Sequence, residues 1–269
     1  ICSLFPHLYA TGIIRELFAS TRDIQRSWTS RLFQNYALGD KLFSTLWPSL
    51  PVFTCESYLL KYDKPLLRDH IVQRLLKLRA DGHIRPVAIT ARPSRSTIAI
   101  ENPPLGCTPE AEMALRVAGL EDLPMIGYGQ LADFARSANV RVDQLLKPEP
   151  FHALAAIGLG ISGNVELALR WAAEKCSLQS GSNDLQLTNS TGDNFIELSD
   201  ELDIQIIEDS PIGLLSALEA IELLRSGGIE VSLKIWGAAA DKNKAAALER
   251  VGAVVFPHPN AAFTQAMSS

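Results

Sequence analysis

Four short runs of β-favouring apolar residues, set between longer stretches of helical periodicity, constrain this chain more than any other feature. They are Pro86-Val87-Ala88-Ile89-Thr90, Asp203-Ile204-Gln205-Ile206-Ile207, Ile229–Trp236 and Ala253-Val254-Val255-Phe256. The last three are separated by helical patterns over Gly213–Arg225, with Leu214, Leu215, Leu218, Ile221 and Leu224 inward, and over Lys242–Arg250. Strand–helix–strand alternation builds right-handed crossover units and a parallel sheet with helices on both faces. Such sheets bind ligands at the carboxyl ends of their strands. The residues just beyond Ile89, Ile207 and Trp236 are therefore the ones to inspect.

The N-terminal part has a different pattern. From Thr11 to about Trp47, apolar residues recur at helical spacing (Ile13, Ile14, Leu17, Phe18, then Ile24, Trp28, Leu32, Phe33, Tyr36), and breakers are scarce until Pro48 and Pro51. Two or three packed helices are predicted, rich in aromatics. Further helices are predicted over Leu66–Ala80, Pro109–Gly119, Ala132–Ala138, Phe151–Ile157 and Leu167–Lys175, with Ser177–Asn194 a polar exposed loop. The 269 residues divide into a helical unit at 5–62 and an α/β unit at 63–269, with an insertion at about 160–200.

Composition narrows the partners. Twenty-five basic against thirty acidic residues give a net charge of −5, with no dense Lys/Arg run, which argues against nucleic acid as a partner. The apolar stretch Phe151–Ala173 is interrupted by His152, Asn164, Glu166 and Arg170, so no membrane span is expected. Cys2, Cys55, Cys107 and Cys176 are far apart with no C-x-x-C pair, which suits free thiols in a reducing, cytoplasmic setting. His7, His70, His83, His152 and His258 lack metal-ligand spacing.

Three pieces carry chemistry: Thr90 after a strand, Lys147-Pro148-Glu149-Pro150 opening a helix, and Glu208-Asp209-Ser210-Pro211-x-Gly213 after a strand. A hydroxyl can hold a phosphoryl oxygen, and a lysine can neutralise a transferred group. Adjacent carboxylates at a strand end can hold Mg²⁺. Each piece alone has a plainer reading: a strand-ending Thr, a solvated loop lysine, a helix cap with acids favoured by the dipole. Arg92, two residues past Thr90, is a candidate phosphate contact beside its plainer role as a surface arginine. Gly158-Leu159-Gly160-Ile161-Ser162-Gly163 fits G-x-G-x-x-G, but what precedes it reads as helix rather than strand.

At these residues the chain resembles the haloacid dehalogenase-like (HAD) hydrolases, in particular phosphatases with a helical cap between their first and second motifs. Thr90 is similar to motif II, Lys147-Pro148-Glu149-Pro150 to motif III, and Ile206-Ile207-Glu208-Asp209-Ser210-Pro211-Ile212-Gly213 to motif IV. The resemblance spans roughly Leu66–Phe263 and implies a Rossmann-like core, with residues 5–62 as a cap domain roofing a substrate pocket. It implies a metal-binding, magnesium-dependent phosphatase acting through an aspartyl-phosphate on a small phosphorylated metabolite. Thr90 and Lys147 would be catalytic, Thr90 and Arg92 phosphate-binding, and Asp209 with Glu208 would hold Mg²⁺.

The family's D-x-D nucleophile motif occurs nowhere in the 269 residues. The expectation is that this strand and its aspartates lie upstream of Ile1 in the native protein. The alternatives are a catalytically inactive HAD-like binding protein and a dinucleotide-dependent oxidoreductase using Gly158–Gly163.

Overall fold

Local capping sets the N-terminal helices. The Ser27 hydroxyl accepts the Ser30 amide at 3.3 Å and starts a helix, as Ser57 does for Leu60 at 3.2 Å. In the computed structural model, residues 12–50, 52–97, 104–178, 196 and 199–268 are described. The first four helices are α1 (Ile13–Leu17), α2 (Trp28–Leu38), α3 (Asp40–Leu46) and α4 (Tyr58–Lys61). Gly39, at φ 82°, turns α2 into α3, and a Cβ there would lie 2.7 Å from the Ser57 amide nitrogen. Only glycine satisfies both demands.

Most aromatic residues of this segment lie outside its interior, although Phe43 is fully buried and packs on the Trp47 ring. Trp28 is 59% exposed and Phe33 58%, while the buried contacts come from Ala37, Leu38 and Leu59 against Met113. Helical periodicity identified the helices but not which face would be covered.

The remaining chain is mixed α/β: α5 (Asp69–Ala80), β1 (Ala88–Ile89), α6 (Glu110–Val117), β2 (Met125–Ile126), α7 (Tyr128–Ala138), α8 (Pro150–Ser162), α9 (Val165–Lys175), β3 (Glu201–Glu208), α10 (Pro211–Ser226), β4 (Glu230–Ala238), α11 (Lys242–Arg250), β5 (Val254–Phe256) and α12 (Pro259–Ala266). Three of these helices start on proline, whose fixed φ suits a first helical position and whose missing N–H costs nothing there. Most predicted elements are present with shifted ends; β2 and α12 are additions. Most of the predicted polar loop, residues 179–195, lies outside the described residues.

All strand pairing is parallel, as expected, but it forms two sheets rather than one. β1 pairs with β2, Ala88 opposite Met125 and Ile89 opposite Ile126. β3 pairs with β4 from Glu201–Glu230 to Glu208–Gly237, and β4 with β5 from Trp236–Val254. Among the described residues, β1 and β3 each have a strand partner on one side only. The two sheets share one core all the same. Val87 and Ile89 from the first, and Leu202, Ile204, Ile206 and Leu233 from the second, pack on the cluster built around α8. Within it Leu154 and Ala155 are fully buried; complete burial of a leucine is worth about 1.5–3 kcal/mol.

The glycine fingerprint is corrected by α8. Gly158 and Gly160 are helical, and Gly163 ends the helix at φ 66°. A Cβ on Gly158 would lie 2.9 Å from the Trp171 ring, so this glycine lets α9 approach α8. Cradling a pyrophosphate needs a strand-to-helix turn, and none precedes this run.

Candidate functional site

The carboxyl ends of β1 and β3 face a common cavity of about 600 Å³. All five predicted site residues line it: Thr90 and Arg92 beyond β1, Glu208 and Asp209 at and beyond β3, and Lys147 just ahead of α8. They come from three segments up to 119 positions apart in the sequence. Pro259 and Phe263 of α12 also line it, and no described residue of 12–62 does.

On the β1 side the backbone is pinned by neutral and charged hydrogen bonds. The Thr90 amide donates to Ile126 O at 3.2 Å, continuing the β1–β2 ladder. The Arg92 amide donates to Thr90 Oγ1 at 3.1 Å, which uses an acceptor position and leaves the hydroxyl proton available to a ligand. The following loop is clamped between α6 and α7. Pro93 O accepts the Ala111 amide at 2.9 Å, the Arg95 amide donates to Glu112 Oε1 at 2.9 Å, and the Gly129 amide donates to Ser94 Oγ at 2.7 Å. A Cβ on Gly129 would sit 2.0 Å from Arg95 O, so the helix must present glycine there.

On the β3 side, charge does the holding. The two acids diverge: Glu208 is 14% exposed and turns to the Lys147 ammonium, whereas Asp209 is 69% exposed and meets Lys244 at 2.7 Å. Glu208 Oε2 also accepts the Asp209 amide at 3.2 Å and the Ser210 hydroxyl at 3.4 Å. Its carboxylate rests against the first turn of the 16-residue α10, where a Cβ on Gly213 would be 2.1 Å away. An anion at a long helix's N-terminus is favoured by the exposed amides and the dipole. Among the described residues, no group of three His, Cys, Asp or Glu side chains is placed to hold a metal ion. One accessible carboxylate with a second behind it still suits Mg²⁺ in kind, since that ion keeps several waters and takes ligands from substrate phosphates.

Sequence reasoning missed Lys244, Glu110 and Gln34. A lysine at the third position of α11, near a positive dipole end, was the available signal for Lys244. Glu110 is buried at the start of α6, with Oε1 3.4 Å from Arg92 Nη1 and Oε2 accepting Gln34 Nε2 at 3.0 Å. Nothing local marks either residue, because both partners are distant in sequence.

His152 is fully buried in the first turn of α8, with Nε2 3.0 Å from Ile126 O. Burial pushes its pKa down to about 4, so the ring is neutral and structural, tying α8 to the end of β2. Burial pushes Cys107 up to about 12 and Cys176 up to about 11, so neither is a thiolate nucleophile near neutrality. Among the described residues, no helix is long and apolar enough to cross a membrane.

Comparison of the chain with protein-family models, with curated proteins and with solved structures finds no match.

Proposed function

We propose that the protein is a Mg²⁺-dependent phosphate-ester hydrolase of the haloacid dehalogenase-like type, acting on a small phosphorylated metabolite. The observation that carries this reading is the convergence of Thr90, Lys147 and Asp209, from three separate segments, on one cavity at the carboxyl ends of parallel strands. In this reading 63–269 is a Rossmann-like core and 5–62 a cap domain.

The Thr90 hydroxyl donates to a non-bridging phosphoryl oxygen, since its acceptor side is already engaged by the Arg92 amide. The Lys147 ammonium, steadied by Glu208, neutralises charge gathering on the transferred group. Arg92 presents guanidinium donors from the opposite wall. Asp209 is the accessible carboxylate for Mg²⁺, which when bound screens the phosphoryl oxygens from an incoming anion.

In the family this chain resembles, the nucleophile is the first aspartate of a D-x-D motif, which the 269 residues do not contain. Hydrolysis by this route needs a carboxylate that attacks phosphorus, forming a carboxyl O–P bond as the ester P–O bond breaks. It also needs a second acid that protonates the departing alkoxide, then takes a proton from the water that hydrolyses the aspartyl-phosphate.

Hydrolysis of an aryl phosphate by the protein, with and without Mg²⁺, tests the assignment. Turnover should require the metal, and Asp209→Asn should lower kcat by about 100-fold or more. Turnover unchanged in Asp209→Asn removes that residue as metal ligand. Phosphate binding without turnover identifies a catalytically inactive binding protein of the same fold.

A further inference from the structure

A buried carboxylate needs compensation, because desolvating it costs several kcal/mol unless it is paired and hydrogen-bonded. Glu110 has that compensation from two unrelated parts of the chain. Arg92, on the cavity wall, approaches one oxygen, and Gln34 of α2 donates to the other. The arrangement is not one that packing alone would favour. Gln34 is itself buried, and among the described residues its Oε1 has no hydrogen-bond partner, an unfavourable state for a buried acceptor.

Arg92 is half-exposed and meets Glu110 through a single nitrogen at 3.4 Å, so most of its five guanidinium donors remain for a ligand. The helical segment is fixed to the same region a second time. The Arg22 guanidinium lies 4.0 Å from the centre of the Tyr128 ring, and Tyr128 begins α7, one of the two helices clamping the loop that carries Arg92. Thus α2 sits one carboxylate away from the anion-facing wall without lining the cavity.

We infer that Glu110 is a positioning residue for phosphate recognition: it aims Arg92 into the cavity, and Gln34 makes that aim depend on the N-terminal helical segment. The inference rests on the phosphate-hydrolase reading and adds its regulation. When α2 is in place, Gln34 holds Glu110 and Glu110 holds the guanidinium toward the phosphoryl group. When α2 shifts, Arg92 loses its orientation and the site loses affinity for the anion.

Titration of inorganic phosphate into the full chain by calorimetry tests this in a double-mutant cycle. A hydrogen bond to a charged group is worth about 1.5–3 kcal/mol, so Arg92→Ala should weaken phosphate binding by about 10-fold or more. Glu110→Gln should weaken it about 3- to 10-fold in the wild-type background and not at all in the Arg92→Ala background. Glu110→Asp, which restores the charge, should recover part of the loss, and Gln34→Leu should weaken binding only while Arg92 is present. Equal losses from Glu110→Gln in both backgrounds would overturn the inference. So would an unchanged affinity in Glu110→Gln when Arg92→Ala and Lys147→Ala both weaken binding; in that case the phosphate site stands and the relay falls. If the wild-type chain does not bind phosphate, and Lys147→Ala changes nothing, the functional reading itself fails and takes the relay with it. Should Glu110→Gln not fold, by the loss of its thermal transition, Glu110→Asp and Gln34→Leu decide the question through the same cycle.

Discussion

The two walls of the cavity are built by different physics. Beyond β1, the backbone from Thr90 to Arg95 is tied down by hydrogen bonds to fixed partners: the β2 ladder, the start of α6 and the first turn of α7. Beyond β3, the functional groups are acids held by lysines, one pair half-hidden and one exposed. A hydrogen-bonded backbone fixes position and tolerates little displacement. The exposed Asp209–Lys244 pair fixes charge balance and leaves position adjustable, because water competes for both partners. The first wall suits reading the shape of a phosphoryl group, the second suits exchanging one cation for another.

On the proposed function, the largest effect should come from removing the Lys147 charge. Lys147→Ala should lower kcat for an aryl phosphate by about 100- to 1,000-fold, the range for losing one electrostatic stabiliser. It also strips the half-buried Glu208 of its cation. A smaller change in steady-state rates would mean that the second wall is only loosely organised.

The β1 side has its own vulnerability, in acid. The folded pKa of His152, about 4, lies below the ordinary value near 6.5, so between these the unfolded chain binds the extra proton. Stability from this group is complete above pH 6.5 and is lost as pH falls toward 4. The loss is on the order of 3 kcal/mol. Denaturant melts at pH 7 and pH 4.5 should show it, and His152→Phe should reduce the difference.

Two glycines sharpen the contrast. Alanine at Gly129 would drive Cβ into the carbonyl of Arg95, which cannot yield without moving the loop; a cost of about 2–3 kcal/mol is expected. Alanine at Gly213 would meet the end of the Glu208 side chain, which can swing away, so about 1 kcal/mol is expected in thermal melts, with a larger effect on activity than on stability. The reverse order would contradict the rigid-wall, adjustable-wall distinction. The smallest effect belongs to Lys244→Ala. The pair it makes with Asp209 is exposed, so stability should shift by less than about 1 kcal/mol. Mg²⁺ titrations should show tighter binding once that amine is gone.

Much of this was legible in the linear chain. Ser210-Pro211 signals a capped helix start wherever it occurs, and the Ile-rich run before it can only be a strand, so the β3–α10 junction was placed from local chemistry. Thr90, Arg92, Lys147, Glu208 and Asp209 are each marked by a strand end or a helix start, and all five line one cavity. Other features are properties of the assembled molecule. Met125–Ile126 is too short to show alternation, and it is a strand only because β1 lies beside it. The fingerprint glycines obey a spacing rule, yet Gly158 serves the approach of Trp171 to α8, Gly160 lies against Arg85, and Gly163 ends the helix. Trp28 and Phe33 lie on helices as expected, but periodicity does not say what covers a helix face, and here that face is bare. Glu110 reads as a first-turn acid, and only the folded chain places Arg92 and Gln34 on either side of it.

The eight residues of β3 carry a consequence of their own. One margin of that strand bonds to β4, while among the described residues no strand bonds the other. Bare strand margins adhere to whatever extended peptide they meet, including further molecules of the same kind. Clumping during purification therefore becomes a gauge of how well that margin is covered.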